Sequence, residues 1–311
     1  MKTYTYRQAG VDVKKGDEFA SYIKEKVSVP DWLIKEPTGY ASILSFVNPP
    51  IVVTADGIGT KILLHTKYER FKDAAMDLVA MNYNDIVSVG GRPLAFLDYL
   101  GVSEIGEFLK KFIEALAGVL EEVDMYLVAG ETAEMPDIYD RGHWDAAGFA
   151  IGIWEKKLPI DDVQIGDVIM GIPSSGFHSN GWSLIRKIIG EENIDIEKLP
   201  FDLLAGTRIY KEAIQLFPYV KAIAHVTGGG IKRALRRVLR DKGYRIGLPQ
   251  RDFINWILGY VGFEEALNTF NMGVGLIVVV SPENIDHVLR IYEDALIIGK
   301  VSPFIEVKYG L

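Results

Sequence analysis

A chain of 311 residues, 49% hydrophobic and 24% charged, has the apolar content to bury a large core; that excludes a mainly disordered chain and makes two domains the expectation. Its net charge of -8 sets up a field that repels a phosphate backbone, so nucleic acid is not expected as a partner. The absence of cysteine excludes disulfides, thiolate metal sites and a cysteine nucleophile.

The opening MKTYTYRQAG has no apolar segment behind its lysine. The most apolar run, GVGLIVVV at 273–280, is far shorter than the roughly 20 residues of a bilayer span. No membrane partner is expected, and a cytoplasmic location is. Along the chain, PIVVTAD (50–56) reads as a strand, and 73–91 has helical spacing that stops at Gly90-Gly91. RPLAFLDYLGV (92–102) reads as a strand, and 103–123 as an amphipathic helix with Ser103 as its N-cap. MYLVAGET and WDAAGFAIGIWEKK supply two more strands, the first turning at Gly130. The polar stretch LPIDDVQIGD (158–167) suits a boundary, giving an N-terminal domain over 1–158 and a C-terminal one over 159–311. The second unit begins at VIMGIPSSG and closes on a strand, a helix and a strand. The alternation of strands and helices in both halves predicts an α/β protein.

TADGIGTK puts Asp56, Gly57, Gly59, Thr60 and Lys61 at a strand's carboxyl end, where ligand sites commonly form. Glycine backbone can approach an anion, Asp56 can hold a divalent cation and Lys61 can neutralise phosphate oxygens. A plain strand-to-helix turn with a backbone-capping aspartate explains the same residues. The spacing matches neither GxxxxGK[ST] nor GxGxxG. In the following helix Asp77, Met81 and Asp85 fall on one stripe beside Asn84, with no lysine, arginine or glutamate over 74–91. A solvated face explains the stripe equally well on a superficial helix, but the sparse charge does not offer an ordinary salt-bridged face; buried carboxylates need a partner, and a hard cation would supply one. VAGETAEMP adds Glu131 as a third oxygen donor at a strand end and Glu134, read as a helix-capping acid. GIPSSGFHSNGWSL offers hydroxyls, glycines and Asn180 ahead of a helix, with His178 for acid-base work, phosphate contact or turn packing. Its G-x-x-S-x-G is not a nucleophile elbow, which excludes a serine hydrolase. Gly228-Gly229-Gly230 serves either anion binding or tight packing. His65, His143 and His287 have no ligand-like spacing and read as structural or surface residues.

The ordered series YRQAGVD, TADGIGTK, DLVAMNYNDIVSVGGRPLAFLDYLG, VAGETAEMP, IPSSGFHSNGWSLIRK, AGTRIY, AIAHVTGGGI and FNMGVGLIVVV resembles the phosphoribosylformylglycinamidine cyclo-ligase (aminoimidazole ribonucleotide synthetase) family over nearly the whole chain. The resemblance implies a two-domain α/β subunit whose N-terminal sheet dimerises into a barrel, with active sites beside the interface. It implies ring closure of formylglycinamidine ribonucleotide to aminoimidazole ribonucleotide in purine synthesis, through phosphorylation of the formyl oxygen and attack by an amidine nitrogen. The implied cofactors are ATP and Mg2+, and the implied partners are a nucleotide substrate and a second copy of the chain. Carried onto matching residues, it assigns Asp56, Asp85 and Glu131 to magnesium, and Gly57, Gly59, Thr60 and Lys61 to ATP, with Lys24 and Asp98 near the nucleotide. Ser175, Ser179, Asn180 and Gly228 to Gly230 fall to the substrate, and Asp85 and His178 are the contenders for proton transfer. The family's glycine loop is reduced to Gly39 in IKEPTGYASIL. The alternatives are another ATP-dependent phosphoryl transferase of the same fold and a non-catalytic nucleotide-binding dimer.

Overall fold

The computed structural model describes residues 3–310; the side chain of Lys24, expected near a nucleotide, lies outside the described residues. The chain opens with α1 (Val13–Lys26), whose N-cap Asp12 accepts from the Lys15 amide. Then come β1 (Leu33–Ile34), β2 (Ser42–Leu44), β3 (Ile51–Gly57), α2 (Ile62–Lys67), α3 (Phe71–Ser88), β4 (Gly91–Val102), α4 (Glu107–Glu122), β5 (Tyr126–Glu134) and β6 (Trp144–Trp154). Six of these strands form a mixed sheet in the order β1-β2-β3-β6-β4-β5, antiparallel except for the β4–β5 pair. The second unit comprises β7 (Val168–Pro173), α5 (Trp182–Glu191), β8 (Ala222–His225), α6 (Gly230–Leu239), β9 (Gly243–Leu248), α7 (Asp252–Leu258), α8 (Phe263–Thr269), β10 (Val274–Val280), α9 (Ile285–Ile291), β11 (Leu296–Ser302) and β12 (Glu306–Tyr309). Its sheet runs β12-β9-β11-β7-β10-β8, with only the β12–β9 pair parallel. Neither sheet closes on itself, so no barrel exists within the single chain. Among the described residues no helix is long and apolar enough to cross a membrane.

The position of α3 explains its unusual sequence. It packs on β3, β4 and β6 of the first sheet and on α4, and its other side meets β8 and the 211–216 turn of the second unit. Held from two sides, it buries Leu78, Val79, Ile86 and Val87 together with Asp77, Asn82, Asn84, Asp85 and Ser88. Buried polar groups must find partners, and here four of those partners, Thr207, Arg208, Tyr210 and His225, belong to the second unit. The stripe of Asp77 and Asp85 is therefore a buried face and not a solvated one.

Three expected turn features are corrected. Ser103 does not cap α4: Gly106 occupies the N-cap, and the Ser103 hydroxyl accepts from the Gly142 amide at 3.0 Å. Gly130 makes no turn but sits inside β5, where a Cβ would stand 1.8 Å from Asp98 Oδ1. Only glycine leaves room there for the Asp98 carboxylate. Glu134 accepts from the Ile105 amide in the loop ahead of α4, whose N-cap Gly106 receives no side-chain hydrogen bond, so Glu134 is not a helix cap there.

Candidate functional site

β3 ends where Asp56 turns its own carboxylate onto the next amide, Gly57 N–H to Oδ1 at 2.8 Å. A Cβ at Gly57 would press on the Ala146 carbonyl at 3.0 Å, and Gly59 turns the chain at φ 73° into the short helical turn Gly59–Lys61. Burial, and then the charge of Asp85 on α3, push the Asp56 carboxyl up to about 6 from its ordinary 3.8, partly offset by the Gly57 amide and Arg237. Asp85 is thus near enough to lift the Asp56 carboxyl, and His225 and Arg237 offset that lift only in part; two neighbouring carboxylates of this kind are oxygen donors that suit a hard dication such as magnesium.

The sign of that shift is testable. A carboxyl raised on folding stabilises the fold at low pH, and that contribution is lost as pH rises from 3.8 through about 6. Asp56→Asn, which cannot ionise, is therefore expected to raise the melting temperature by a few degrees in metal-free buffer at about pH 8. It should also erase any stabilisation by added magnesium. Scanning calorimetry with and without the cation checks both; a variant that still gains stability from magnesium like the parent would remove Asp56 from the site.

Asp85 meets a residue that sequence reasoning passed over. His225, the last residue of β8, is fully buried and its Nδ1 lies 2.9 Å from Asp85 Oδ1. Asn84 Nδ2 stands 3.3 Å from His225 Nε2 and donates to the Arg208 carbonyl, while Asn84 Oδ1 accepts from the Tyr210 amide. Asn84 donating to Nε2 leaves the Nδ1 proton for Asp85, so consecutive α3 residues fix the imidazole from both sides. The only clue was a lone polar residue ending the apolar run AIAH. Tyr40 and Arg237 complete this wall: Tyr40 Oη donates to the His225 carbonyl at 2.9 Å, and the Arg237 guanidinium lies 4.3 Å over the Tyr40 ring.

The remaining expected residues divide. Thr60 Oγ1 is 3.3 Å from Ser183 Oγ, which brings the Asp56 turn against the start of α5. Asn180, just before α5, holds a buried Nδ2 with no partner, and its Oδ1 is the only atom near Gly228, at 3.7 Å from where a Cβ would lie. An unpaired buried donor beside an open glycine fits an absent ligand. Gly229 and Gly230 take φ of 90° and 64°, and a Cβ on Gly230 would lie 2.4 Å from the Leu267 carbonyl, so Gly230 is a packing residue. Ser175 Oγ donates to the Gly206 carbonyl and Ser179 Oγ lies 3.2 Å from Thr207 Oγ1, tying this loop to the 206–207 segment.

Lys61 stands apart from the phosphate role expected of it. Its side chain is wholly buried, with Nζ 2.8 Å from Asp77 Oδ2, 2.8 Å from the Ala205 carbonyl and 5.0 Å from the Trp182 ring centre. Asp77 also binds His65 at 2.7 Å and the Thr207 amide and hydroxyl at 2.8 and 2.6 Å. The partner expected to be a hard cation is here an ammonium group. His178 is likewise enclosed: Nε2 accepts from the Ser175 amide at 3.2 Å, and burial, with His225 and Lys61, holds its pKa well below the ordinary range. Its Nδ1, like Asn180 Nδ2, is buried with no partner among the described residues.

Asp98 is buried on the helix-covered face, leaning over Gly130, and burial pushes its carboxyl up. Glu131 does not join Asp56 within one chain. β6 and β4 separate their strands, about 14 Å across the sheet. Register also puts Glu131 beside Tyr99 and Ala147 on the outer face, whereas Asp56 aligns with Gly148 and Asp98 on the inner one. Among the described residues no three histidine or acidic side chains share one metal position.

The family description "AIR synthase related protein, N-terminal domain" matches residues 41–154, and "AIR synthase related protein, C-terminal domain" matches 164–305. A protein of Caldanaerobacter subterraneus subsp. tengcongensis named phosphoribosylformylglycinamidine cyclo-ligase is 35% identical over 327 aligned positions, covering 95% of this chain and 97% of that protein. One of the same name from Chromobacterium violaceum is 36% identical, covering 94% of this chain and 92% of that protein. A solved structure described as AaThiL complexed with AMPPCP and TMP shares the fold, with TM-score 0.67 at 17% identity over 94% of this chain and 92% of that one. Two matched halves and near-complete alignment at such identity place the chain in the phosphoribosylformylglycinamidine cyclo-ligase family.

Proposed function

We propose that this protein closes the imidazole ring of aminoimidazole ribonucleotide, converting formylglycinamidine ribonucleotide and ATP to product, ADP and phosphate in purine biosynthesis. The observation that carries this reading is the end-to-end likeness to proteins bearing the cyclo-ligase name. An amide oxygen leaves poorly; once phosphorylated it leaves as phosphate while an amidine nitrogen attacks the formyl carbon and gives up its proton. Bound magnesium would offset charge on the transferring phosphoryl group. Asp56 and Asp85 hold that ion, the Gly57–Thr60 turn lies against the ATP phosphates, and Asn180 and Gly228 face the ribonucleotide. Of the two contenders for proton transfer, Asp85 borders the site and His178 is enclosed. Domain division at 158/159 belongs to this reading and is supported by the two separate sheets.

Dimerisation through the first sheet belongs to it as well. Tyr99, Tyr126 and Phe149 are exposed apolar residues on or beside the sheet's outer face, and among the described residues the helices that pack on this sheet, α2, α3 and α4, lie on the other side. A second copy would cover them and would set Glu131 at the interface, the one arrangement in which it can approach a neighbouring site.

Incubation with formylglycinamidine ribonucleotide, ATP and magnesium tests the reading. Stoichiometric phosphate release with a diazotisable amine product is the expected result; no turnover would overturn it. Phosphate release without that ribonucleotide, on another acceptor, would favour a different phosphoryl transferase of this fold.

A further inference from the structure

The acidic chain carries one strongly basic concavity. A hollow of about 730 Å3 lies between α1 and α6, lined by Lys14, Lys232, Arg233, Arg236 and Arg237 against a single carboxylate, Asp17. Five cations converge there although the chain as a whole has net charge -8. The spacing of the run KRALRR explains how: apolar Ile231, Ala234, Leu235 and Val238 are buried, which turns the cations of α6 outward on the opposite stripe. Like charges so close repel, and only part of that repulsion is relieved locally. Arg233 pairs with Asp17 at 2.8 Å, and Lys232 pairs with Glu264 outside the hollow. The surplus is positive, and the volume lies within the range of small-molecule sites.

The hollow also adjoins the catalytic wall. Thr38, Gly39 and Gly229 line it, Gly39 leads into Tyr40, and the Arg237 guanidinium stacks on that tyrosine beside His225. A ligand with its charge among the α6 cations thus has a direct path to the Asp56–Asp85 pair.

We propose that this hollow anchors the phosphomonoester of the ribonucleotide substrate, with Arg236 and Lys14 at its mouth and Arg237 at its inner edge. A ribose phosphate carries about two negative charges on a compact head, matching clustered guanidinium donors. ATP offers the same phosphate chemistry. On the cyclo-ligase reading its triphosphate belongs with the metal at the Asp56 turn, whereas the second substrate's phosphate has no cation there, Lys61 being enclosed. The identity of the ribonucleotide rests on the cyclo-ligase reading; the phosphate anchor does not.

Calorimetric titration with ribose 5-phosphate and, separately, with magnesium-ATP distinguishes the sources. Arg236 and Lys14 are exposed, so Arg236→Ala and Lys14→Ala leave the core untouched. Each variant is expected to bind ribose 5-phosphate about tenfold more weakly with magnesium-ATP affinity unchanged, and added salt should weaken the parent's binding. In turnover, KM for formylglycinamidine ribonucleotide should rise while kcat and KM for ATP hold. No binding of ribose 5-phosphate by the parent, unchanged affinity in both variants, or loss confined to ATP each overturns the proposal. Weakened ribose 5-phosphate binding in a parent that turns over no formylglycinamidine ribonucleotide keeps the anchor and discards the cyclo-ligase assignment.

Discussion

Asp77→Ala is expected to cost about 3–5 kcal/mol of folding stability, the toll of stripping one partner from a buried charge pair. The carboxylate ties α3 to three places at once: the Lys61 ammonium from the turn after β3, His65 on α2 and Thr207 of the second unit. Burial alone would push its pKa up. The Lys61 charge and the hydrogen bonds from His65 and Lys61 outweigh that and hold it far below the ordinary range. A folded pKa below the unfolded one stabilises the protein above the ordinary carboxylate range, and that contribution is lost as pH falls through and below it. The loss on substitution should therefore be largest near neutrality and shrink in acid. Lys61→Met combined with Asp77→Leu removes both charges and should recover part of the loss, because no buried charge is stranded, while the Thr207 and His65 donors and the Ala205 carbonyl stay unpaired. Urea denaturation of the parent, the single variant and the pair checks this. A single-variant loss below about 1 kcal/mol would mean that the cluster is not the clasp between the two units.

The same cluster shows why part of the site could be read from sequence and part could not. The strand end at Asp56, the α3 stripe and the glycine stop after it follow from local periodicity and turn chemistry and lie where those rules put them; the strand end expected at Gly130 does not, since β5 runs on through Glu134. Lys61 is different. A lysine four residues past a glycine turn has the same sequence whether it faces a ligand or folds inward, and the choice was made by an aspartate on another helix and a carbonyl at Ala205. His225 and Asp85 lie 140 positions apart, so their contact is a product of how β8 docks on α3. Glu131 was legible as an acid at a strand end, whereas it lies inside β5, and its face and distance depend on sheet order β3-β6-β4-β5, which no short pattern encodes. The basic run of α6 could be seen as charge; that α1 closes it into a hollow could not.

Asp85→Asn separates an enzyme from a scaffold. Asparagine keeps the shape and leaves an oxygen to accept the His225 Nδ1 proton, so the α3–β8 contact at 2.9 Å survives. Thermal stability should stay within about 1 kcal/mol of the parent. What disappears is one negative charge from the pair that meets magnesium, and turnover is expected to fall about 100- to 1000-fold, the scale seen when a preorganised electrostatic contact to a transition state is lost. A second readout excludes a merely structural effect. The Asp85 charge is the second-largest cause lifting the Asp56 carboxyl to about 6, so without it that carboxyl should ionise at lower pH. The metal-free stability lost as pH rises toward 6 should shrink accordingly. Rates from the formylglycinamidine ribonucleotide assay and melting temperatures across that pH range decide the matter. Unchanged turnover with an intact fold would take Asp85 out of the catalytic machinery, and no turnover by the parent itself would leave a nucleotide-binding dimer without catalysis. A variant that loses turnover but keeps the parent's pH profile would place Asp85 out of electrostatic reach of Asp56 and break the proposed metal pair.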